Sequence, residues 1–221
     1  METPLTILYT AHLRGDLEVL PRLYNFLRQL RAHYSEEVVQ VCADDPAVAP
    51  GSVLLLDLGA SCDPSVWHCD VTSGRSMLVV LDGMGFNAAR VENAAGLYEK
   101  LGENVRLALV DAASPQMIED VLLAAEDYAG ESETRPYSLQ ITLSPSDATR
   151  LDGRRLSLAS VEGGQVGSVT LAQIVGRWVL TGQEIHDLPR RILPDPTIAA
   201  TVEFVLSEAR YAQKRRKSTS D

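Results

Sequence analysis

The 221-residue sequence predicts an α+β fold in which a mostly parallel sheet is followed by antiparallel strands. Short, continuously apolar runs alternate with helical patterns as far as residue 110, which is typical of buried parallel strands covered by helices. Four later segments alternate apolar and polar residues with a period of two, which is typical of antiparallel strands or hairpins. No internal repeat or low-complexity linker divides the chain. We therefore expect a single domain over residues 1–213.

The first half begins with a buried strand at Leu5 to Tyr9 and a loop. From Leu20 to Arg31, apolar residues recur at spacings of three and four, which predicts a helix with Pro21 in its first turn. The remaining elements expected here are a loop at 44–51, a strand at 52–57, a helix at 74–84, a strand at 85–89, a helix at 93–101, a strand at 105–110 and a helix at 116–128.

The second half is expected to form strands at 137–143, 155–160, 166–172 and 176–181, separated by glycine-containing turns. An amphipathic helix over 194–211 closes the pattern. Its apolar stripe consists of Ile198, Val202, Val205, Leu206 and Ala209. We expect this stripe to pack back on the sheet, and the alternative is contact with a partner protein or a twofold homodimer.

Charge and hydropathy argue against nucleic acids and membranes as binding partners. Thirty acidic residues outnumber 20 basic ones, giving a formal net charge of −10, so we expect no binding to nucleic acid. The basic residues 214–217 lie in a segment, 214–221, that we expect to be a disordered tail. No apolar run approaches the length of about 20 residues that spans a bilayer, and no leader pattern opens the chain, which predicts a cytoplasmic protein without membrane contact.

Cysteine usage gives a related expectation. Cys42, Cys62 and Cys69 are odd in number and form no C-x-x-C pair. In a reducing compartment this pattern favours buried or free thiols over a disulfide.

Three loops follow predicted strands of the parallel sheet, at 10–16, 57–63 and 90–96. Ligands bind at such carboxyl ends in open α/β sheets. The run Ile7-Leu-Tyr-Thr-Ala-His-Leu-Arg-Gly, then Leu54-Leu-Leu-Asp-Leu-Gly, then Leu81-Asp-Gly-Met-Gly-Phe-Asn-Ala resembles the start of bacterial 5′-nucleotidases in the calcineurin-like metallophosphoesterase superfamily. The resemblance implies a four-layer α/β/β/α sandwich, reduced in size.

The same resemblance shows which family metal ligands are replaced. The first-loop aspartate and histidine fall at His12 and Arg14, the metal-bridging aspartate falls at Ala60, and the catalytic histidine falls at Ala94. Asn93 matches the family asparagine. We therefore regard His12, Arg14, Asp57, Ala60 and Asn93 as a vestigial site with no catalytic residue, and we expect no cofactor.

Two hypotheses on function follow. The first is a degenerate, non-catalytic binding or assembly protein, in which Arg14 occupies the vacated cation site or binds a phosphate-containing small molecule. The second is a metal-dependent phosphoester hydrolase with substituted ligands for zinc, manganese or iron. His12, Asp57 and His68 are its metal candidates. Cys62 and Cys69 would suit zinc, although we expect them to pack as small apolar residues and His68 to lie on an exposed loop beside Trp67.

Overall fold

The structure is a computed structural model that describes residues 4–44, 52–101, 105–126 and 137–219. The first half contains β1 (Leu5–Thr10), α1 (Leu20–Asp44), β2 (Ser52–Asp57), α2 (Trp67–Thr72), α3 (Arg75–Gly83), β3 (Ala88–Arg90), α4 (Ala94–Leu101) and β4 (Ala108–Val110). The second half contains β5 (Gln116–Ile118), β6 (Val121–Ala124), β7 (Leu139–Ser146), β8 (Arg150–Asp152), β9 (Arg155–Ala159), β10 (Gln165–Ile174), β11 (Arg177–Asp187) and α5 (Pro196–Thr219).

The strands form two mixed sheets. The six-stranded sheet has the order β11-β10-β1-β2-β3-β4, in which β1 to β4 are parallel and β10 and β11 are antiparallel. The five-stranded sheet has the order β5-β6-β7-β9-β8. Since the carboxyl ends of β1 to β4 meet at one edge, the loops that follow these strands are brought together there.

Two hydrophobic cores hold the layers together. One lies between the helices and the six-stranded sheet, where Leu8 of β1 and Leu55 of β2 face residues from all five helices. The other lies between the two sheets and contains Ile7 and Tyr9 of β1 and Leu56 of β2. Strand β1 and residues 54–57 of β2 are buried on both faces, which explains their continuously apolar sequences. The expected α/β sandwich is thus confirmed in reduced form, and of the four expected layers α/β/β/α the described residues supply three, α/β/β. Among the described residues, the helices cover one face of the six-stranded sheet and the second sheet covers the other.

A close contact fixes the pairing of β1 with β10. Tyr9 lies opposite Gly167 in the antiparallel register. The aromatic ring occupies the position that a Cβ at residue 167 would take. The ring itself is 1% exposed and lies in the core between the sheets. Only glycine at 167 fits this packing.

The closing helix α5 packs back on the body, as its apolar stripe predicts. Ile198, Val202, Val205 and Ala209 are buried in the helix-side core. The helix contacts α1, α2 and α3. It also continues through Thr219, so the described part of the segment expected to be a disordered tail, 214–219, is helical. The Arg216 guanidinium donates to the Asp70 carboxylate of α2 at 3.2 Å.

Other predictions need correction. The helix expected at 116–128 is wrong, because 116–118 and 121–124 form the hairpin β5–β6, and all four residues of β6 are buried. Its apolar spacing is ambiguous between a helix and a fully buried strand. The strands β7 and β9 are parallel rather than antiparallel. Helix α1 runs on to Asp44, and the rest of the loop expected at 44–51 falls outside the described residues.

Candidate functional site

The loops after β1 and β2 run side by side at the carboxyl edge of the six-stranded sheet. Backbone hydrogen bonds continue the parallel pairing beyond the strands. They run from Leu58 N to Thr10 O (2.8 Å), from His12 N to Gly59 O (3.0 Å), from Arg14 N to Ala60 O (2.9 Å) and from Gly15 N to Ser61 O (2.8 Å). Three of the residues singled out by sequence, His12, Arg14 and Ala60, are therefore neighbours through their backbones.

The same three residues have left-handed backbone conformations. Their φ angles are +52° at His12, +50° at Arg14 and +56° at Ala60. This region costs an L-residue about 1–2 kcal/mol. Such conformations persist where the surrounding structure over-determines them, and they concentrate at functional sites. The backbone of the two loops is thus strained at these three positions, although none of them carries a carboxylate.

Asp57 ends β2 and is fully buried beneath these loops. Its carboxylate accepts hydrogen bonds from the hydroxyls of Thr10 (3.3 Å) and Ser61 (2.5 Å) and from the Gly59 N–H (3.3 Å). Burial raises the pKa of Asp57 from 3.8 to about 6, against the opposing effect of its hydrogen bonds to Ser61, Thr10 and Gly59. Both carboxylate oxygens are therefore held by protein donors.

The loops after β3 and β4 are organised around the start of α4. Asn93 is exposed, and its Oδ1 accepts a hydrogen bond from the Gly96 N–H at 2.9 Å. Asp111, directly after β4, accepts from the N–H groups of Ala94 at 2.7 Å and Ala113 at 2.9 Å. These hydrogen bonds, led by the one from Ala94, lower the pKa of Asp111. Both side chains satisfy backbone donors at or near the beginning of α4.

Arg90 at the end of β3 is a site residue that is not among the candidates predicted from the sequence. Its Nη1 lies 3.4 Å from the position of a Cβ on Gly59, so the guanidinium lies against the loop after β2. Its Nε is buried without a hydrogen-bond partner in the described part of the chain. The sequence feature that could have identified Arg90 is its position at the start of a loop that follows a buried strand.

The side chains of His12 and Arg14 differ in their surroundings. His12 is half-buried, and its Nε2 lies 3.3 Å from the Ser160 hydroxyl of the loop after β9. Arg14 is exposed. Its charge contributes the smallest of the effects that lower the pKa of Asp63, after hydrogen bonds from Ser65.

A disulfide joins Cys62, in the loop after β2, to Cys69 of α2, with their Cα atoms 5.7 Å apart. The expectation of free or buried thiols is therefore wrong for this pair. Spacing alone could not reveal it, because the pair becomes close only when the loop turns into α2. Disulfides are typical of oxidising compartments, so this bond weighs against the predicted cytoplasmic location.

His68 is 4% exposed and lies in α2, so the expectation of an exposed loop position is also wrong. Its Nδ1 lies 2.8 Å from the Ser76 hydroxyl, and its Nε2 lies 2.9 Å from the carbonyl oxygen of Gly15. Since a carbonyl only accepts, Nε2 carries a proton, and in the neutral tautomer that follows Nδ1 is the acceptor for the Ser76 hydroxyl. The ring of Trp67 packs edge-on against this imidazole. His68 is thus separate from His12 and Asp57, the other two metal candidates.

No helix in the described residues is long and apolar enough to cross a bilayer. A scan against models of protein families finds no match, and no curated protein matches the sequence.

Comparison with solved structures does find similar folds. The calcineurin-like phosphoesterase YfkN from Bacillus subtilis superposes with a TM-score of 0.58 at 11% identity, covering 96% of this chain and 100% of that one. The NAD nucleotidase NadN of Haemophilus influenzae gives a TM-score of 0.57 at 9% identity, covering 99% of this chain and 68% of that one. At such identity the likeness establishes the fold alone. The chain has a reduced metallophosphoesterase/5′-nucleotidase-like fold.

Proposed function

We propose that this chain is a non-catalytic binding protein on a phosphoesterase fold, and that it holds an oxyanion without a metal ion. One observation carries the proposal. Asp57, the carboxylate retained at the resembling site, is fully buried, and protein hydrogen bonds occupy both of its oxygens. A divalent cation needs oxygen ligands that face it, and binding here would require breaking those bonds.

The neighbouring positions strengthen this interpretation. A pair of cations about 3.5–4 Å apart needs a shared ligand to offset their mutual repulsion, and the Ala60 side chain has no donor atom. Ala94 is buried and likewise offers no ligand. Asp111 already accepts from the backbone at the start of α4. The donor set of these loops does not fit the paired cations that the family resemblance implies.

The remaining polar groups suit an anion. Arg90 has a buried Nε without a partner among the described residues, and leaving such a donor unpaired costs about 1–3 kcal/mol or more. Guanidinium groups bind phosphates and carboxylates through parallel N–H donors. Arg14 and His12 on the adjacent loop add a guanidinium and an imidazole. We therefore propose a small phosphate-containing molecule as the ligand.

The test measures binding of inorganic phosphate and of a nucleoside monophosphate in the presence of a metal chelator. Binding is measured by calorimetry and by thermal melting. Binding should persist in chelator, and Arg90→Ala should weaken it by about tenfold or more, as removal of a charged hydrogen-bond donor does. Arg177→Ala, at an exposed position at the start of β11, is the matched control and should leave affinity unchanged.

Hydrolysis of the monophosphate is measured in parallel with added zinc or manganese. Absence of turnover supports the proposal. Metal-dependent turnover that is lost in His12→Ala would overturn it in favour of the substituted-ligand hydrolase. Equal phosphate affinity in the Arg90→Ala and native proteins would overturn the anion site.

A further inference from the structure

The disulfide and His68 form a compact group beneath the first loop of the candidate site. One ligand atom each from Cys62, His68 and Cys69 lies within 4.8 Å of the others. The Sγ of Cys69 is 3.0 Å from the position of a Cβ on Gly15, and the same glycine donates its N–H to Ser61. The group therefore lies where α2 packs against the loops that follow β1 and β2.

Two sulfurs and one imidazole are the donor types that zinc and other thiophilic cations prefer. As the structure stands, each sulfur is bonded to the other, so neither is a thiolate. Cys62 is the less buried of the two, which leaves its side chain room to rotate once the bond is broken. Reduction would thus convert a closed disulfide into two adjacent thiolate donors next to a buried histidine.

The hydrogen bonds of His68 match those of a metal ligand. Histidines that bind metals commonly donate their other ring N–H to a backbone carbonyl or a carboxylate, which fixes the ring and its tautomer. Here Nε2–H donates to the Gly15 carbonyl, and in the neutral tautomer the partner of Nδ1 among the described residues is the Ser76 hydroxyl. Ser76 has a second hydroxyl nearby, that of Thr72 at 3.1 Å, so it would keep a partner if a cation took its place at Nδ1.

We propose that the reduced form of this chain binds one zinc ion through the thiolates of Cys62 and Cys69 and Nδ1 of His68, with the fourth position open to water. Two equivalents of a thiol reductant supply the electrons. The first thiolate attacks one sulfur, which forms a mixed disulfide and releases the other cysteine as a thiolate. The second thiolate attacks the mixed disulfide and releases the remaining cysteine, and the reductant leaves as its own disulfide. Each cysteine thiolate takes up a proton to give a thiol. Zinc binding then displaces two thiol protons to solvent.

This site is independent of the proposed oxyanion function, because it uses none of Arg90, Arg14 or His12. A failure of phosphate binding would leave the zinc site standing, and a failure of zinc binding would leave the oxyanion site standing.

The experiment uses the full chain carrying Cys42→Ser, so that only the paired cysteines remain. The protein is reduced by a phosphine without oxygen, the reductant is removed, and Co²⁺ is titrated as a spectroscopic stand-in before Zn²⁺ is added. We expect a thiolate-to-cobalt charge-transfer band that saturates at one equivalent and disappears on zinc addition. The oxidised protein, as the matched control, should give no band.

Variants distinguish a ligand set from a merely structural cluster. Cys62→Ser should lower affinity by at least about tenfold, a loss seen even when residues that only support a ligand are changed. Ser76→Ala should bind at least as tightly as the parent, because it removes the hydroxyl that competes for Nδ1. X-ray absorption of the zinc-bound parent should show two sulfurs and nitrogen or oxygen donors.

Three results would overturn the proposal. They are the absence of a charge-transfer band in folded, fully reduced protein, an undiminished band in the Cys62→Ser/Cys69→Ser variant, and an absorption spectrum without sulfur ligands. Circular dichroism on each sample establishes that the protein is folded, so a negative titration is decisive.

Discussion

The two pairs of loops at the carboxyl edge of the six-stranded sheet differ in how they use their polar residues. After β1 and β2, the backbone has strained, left-handed conformations at His12, Arg14 and Ala60. Burial of Asp57 in the same region raises the pKa of its carboxyl group. After β3 and β4, Asn93 and Asp111 stabilise the start of α4, and the pKa of Asp111 is lowered.

The difference separates loops whose polar residues stabilise the fold from loops whose residues cost folding free energy. A capping carboxylate and a capping amide need no ligand to explain their presence, because each offsets unpaired backbone donors. Left-handed non-glycine residues and a desolvated carboxyl cost free energy in the folded chain. The first pair of loops therefore carries the stronger signal of a binding role, and Arg90 points into that pair from β3.

The largest effect expected from this comparison is stabilisation by Asp57→Asn. An amide keeps the shape of the carboxyl group and cannot ionise. A rise of the Asp57 pKa from 3.8 to about 6 corresponds to roughly 3 kcal/mol of lost stability once the group is ionised. The native protein has this stability below the unfolded pKa and loses it as pH rises through about 6, so the variant should be more stable by about 2–3 kcal/mol near pH 8. Urea unfolding across this range measures the difference.

Asp63→Asn is the control for Asp57→Asn, since Asp63 lies six residues further on and its pKa is lowered. The control should show no gain at high pH. A destabilised Asp57→Asn variant near pH 8 would mean that the ionised carboxylate is required by the fold, and the contrast between the loops would fail.

Asp111→Ala should act in the opposite direction. It removes the acceptor for the Ala94 and Ala113 N–H groups, and loss of such a cap costs about 1 kcal/mol. Because folding lowers the pKa of Asp111, its contribution is present above the unfolded pKa and is lost as pH falls through the folded value. The penalty measured by urea unfolding should therefore shrink in acid. A loss of stability that does not change with pH would show that the ionised carboxylate of Asp111 is not its cause.

The smallest effect is expected for Ala60→Gly. Glycine adopts the φ of +56° without a Cβ penalty, which offsets its greater entropy when unfolded. We expect a gain of a few tenths to about 1 kcal/mol in thermal melting. Ala95→Gly in α4 is the control and should lose stability, since glycine is unfavourable within a helix. A loss at Ala60 equal to that at Ala95 would argue against strain in the loop.

The sequence predicted the elements whose periodicity is strong. Helices α1, α3, α4 and α5 and strands β1 to β4 lie where apolar spacing places them, although several boundaries differ. It also identified the loops at the sheet edge, because polar residues directly follow buried strands. The hairpin at Gln116 to Ala124 was mistaken for a helix, since short apolar runs do not distinguish the two.

The parts of the site that could not be predicted depend on tertiary contact. The unpaired Nε of Arg90 is a property of its surroundings, and no local pattern marks it. The Cys62–Cys69 bond depends on the turn into α2, a helix that the sequence patterns do not predict. The raised pKa of Asp57 follows from complete burial by loops that approach from different strands.

The contact between Tyr9 and Gly167 limits how this sequence could diverge. Because the tyrosine ring fills the space above the glycine, the two positions, far apart along the chain, can vary only together. A smaller residue at 9 is the condition for any side chain at 167. In a library randomised at both positions, survivors with a side chain at 167 should have lost the aromatic ring at 9. The pair would thus appear as a covarying couple linking the first strand to the tenth.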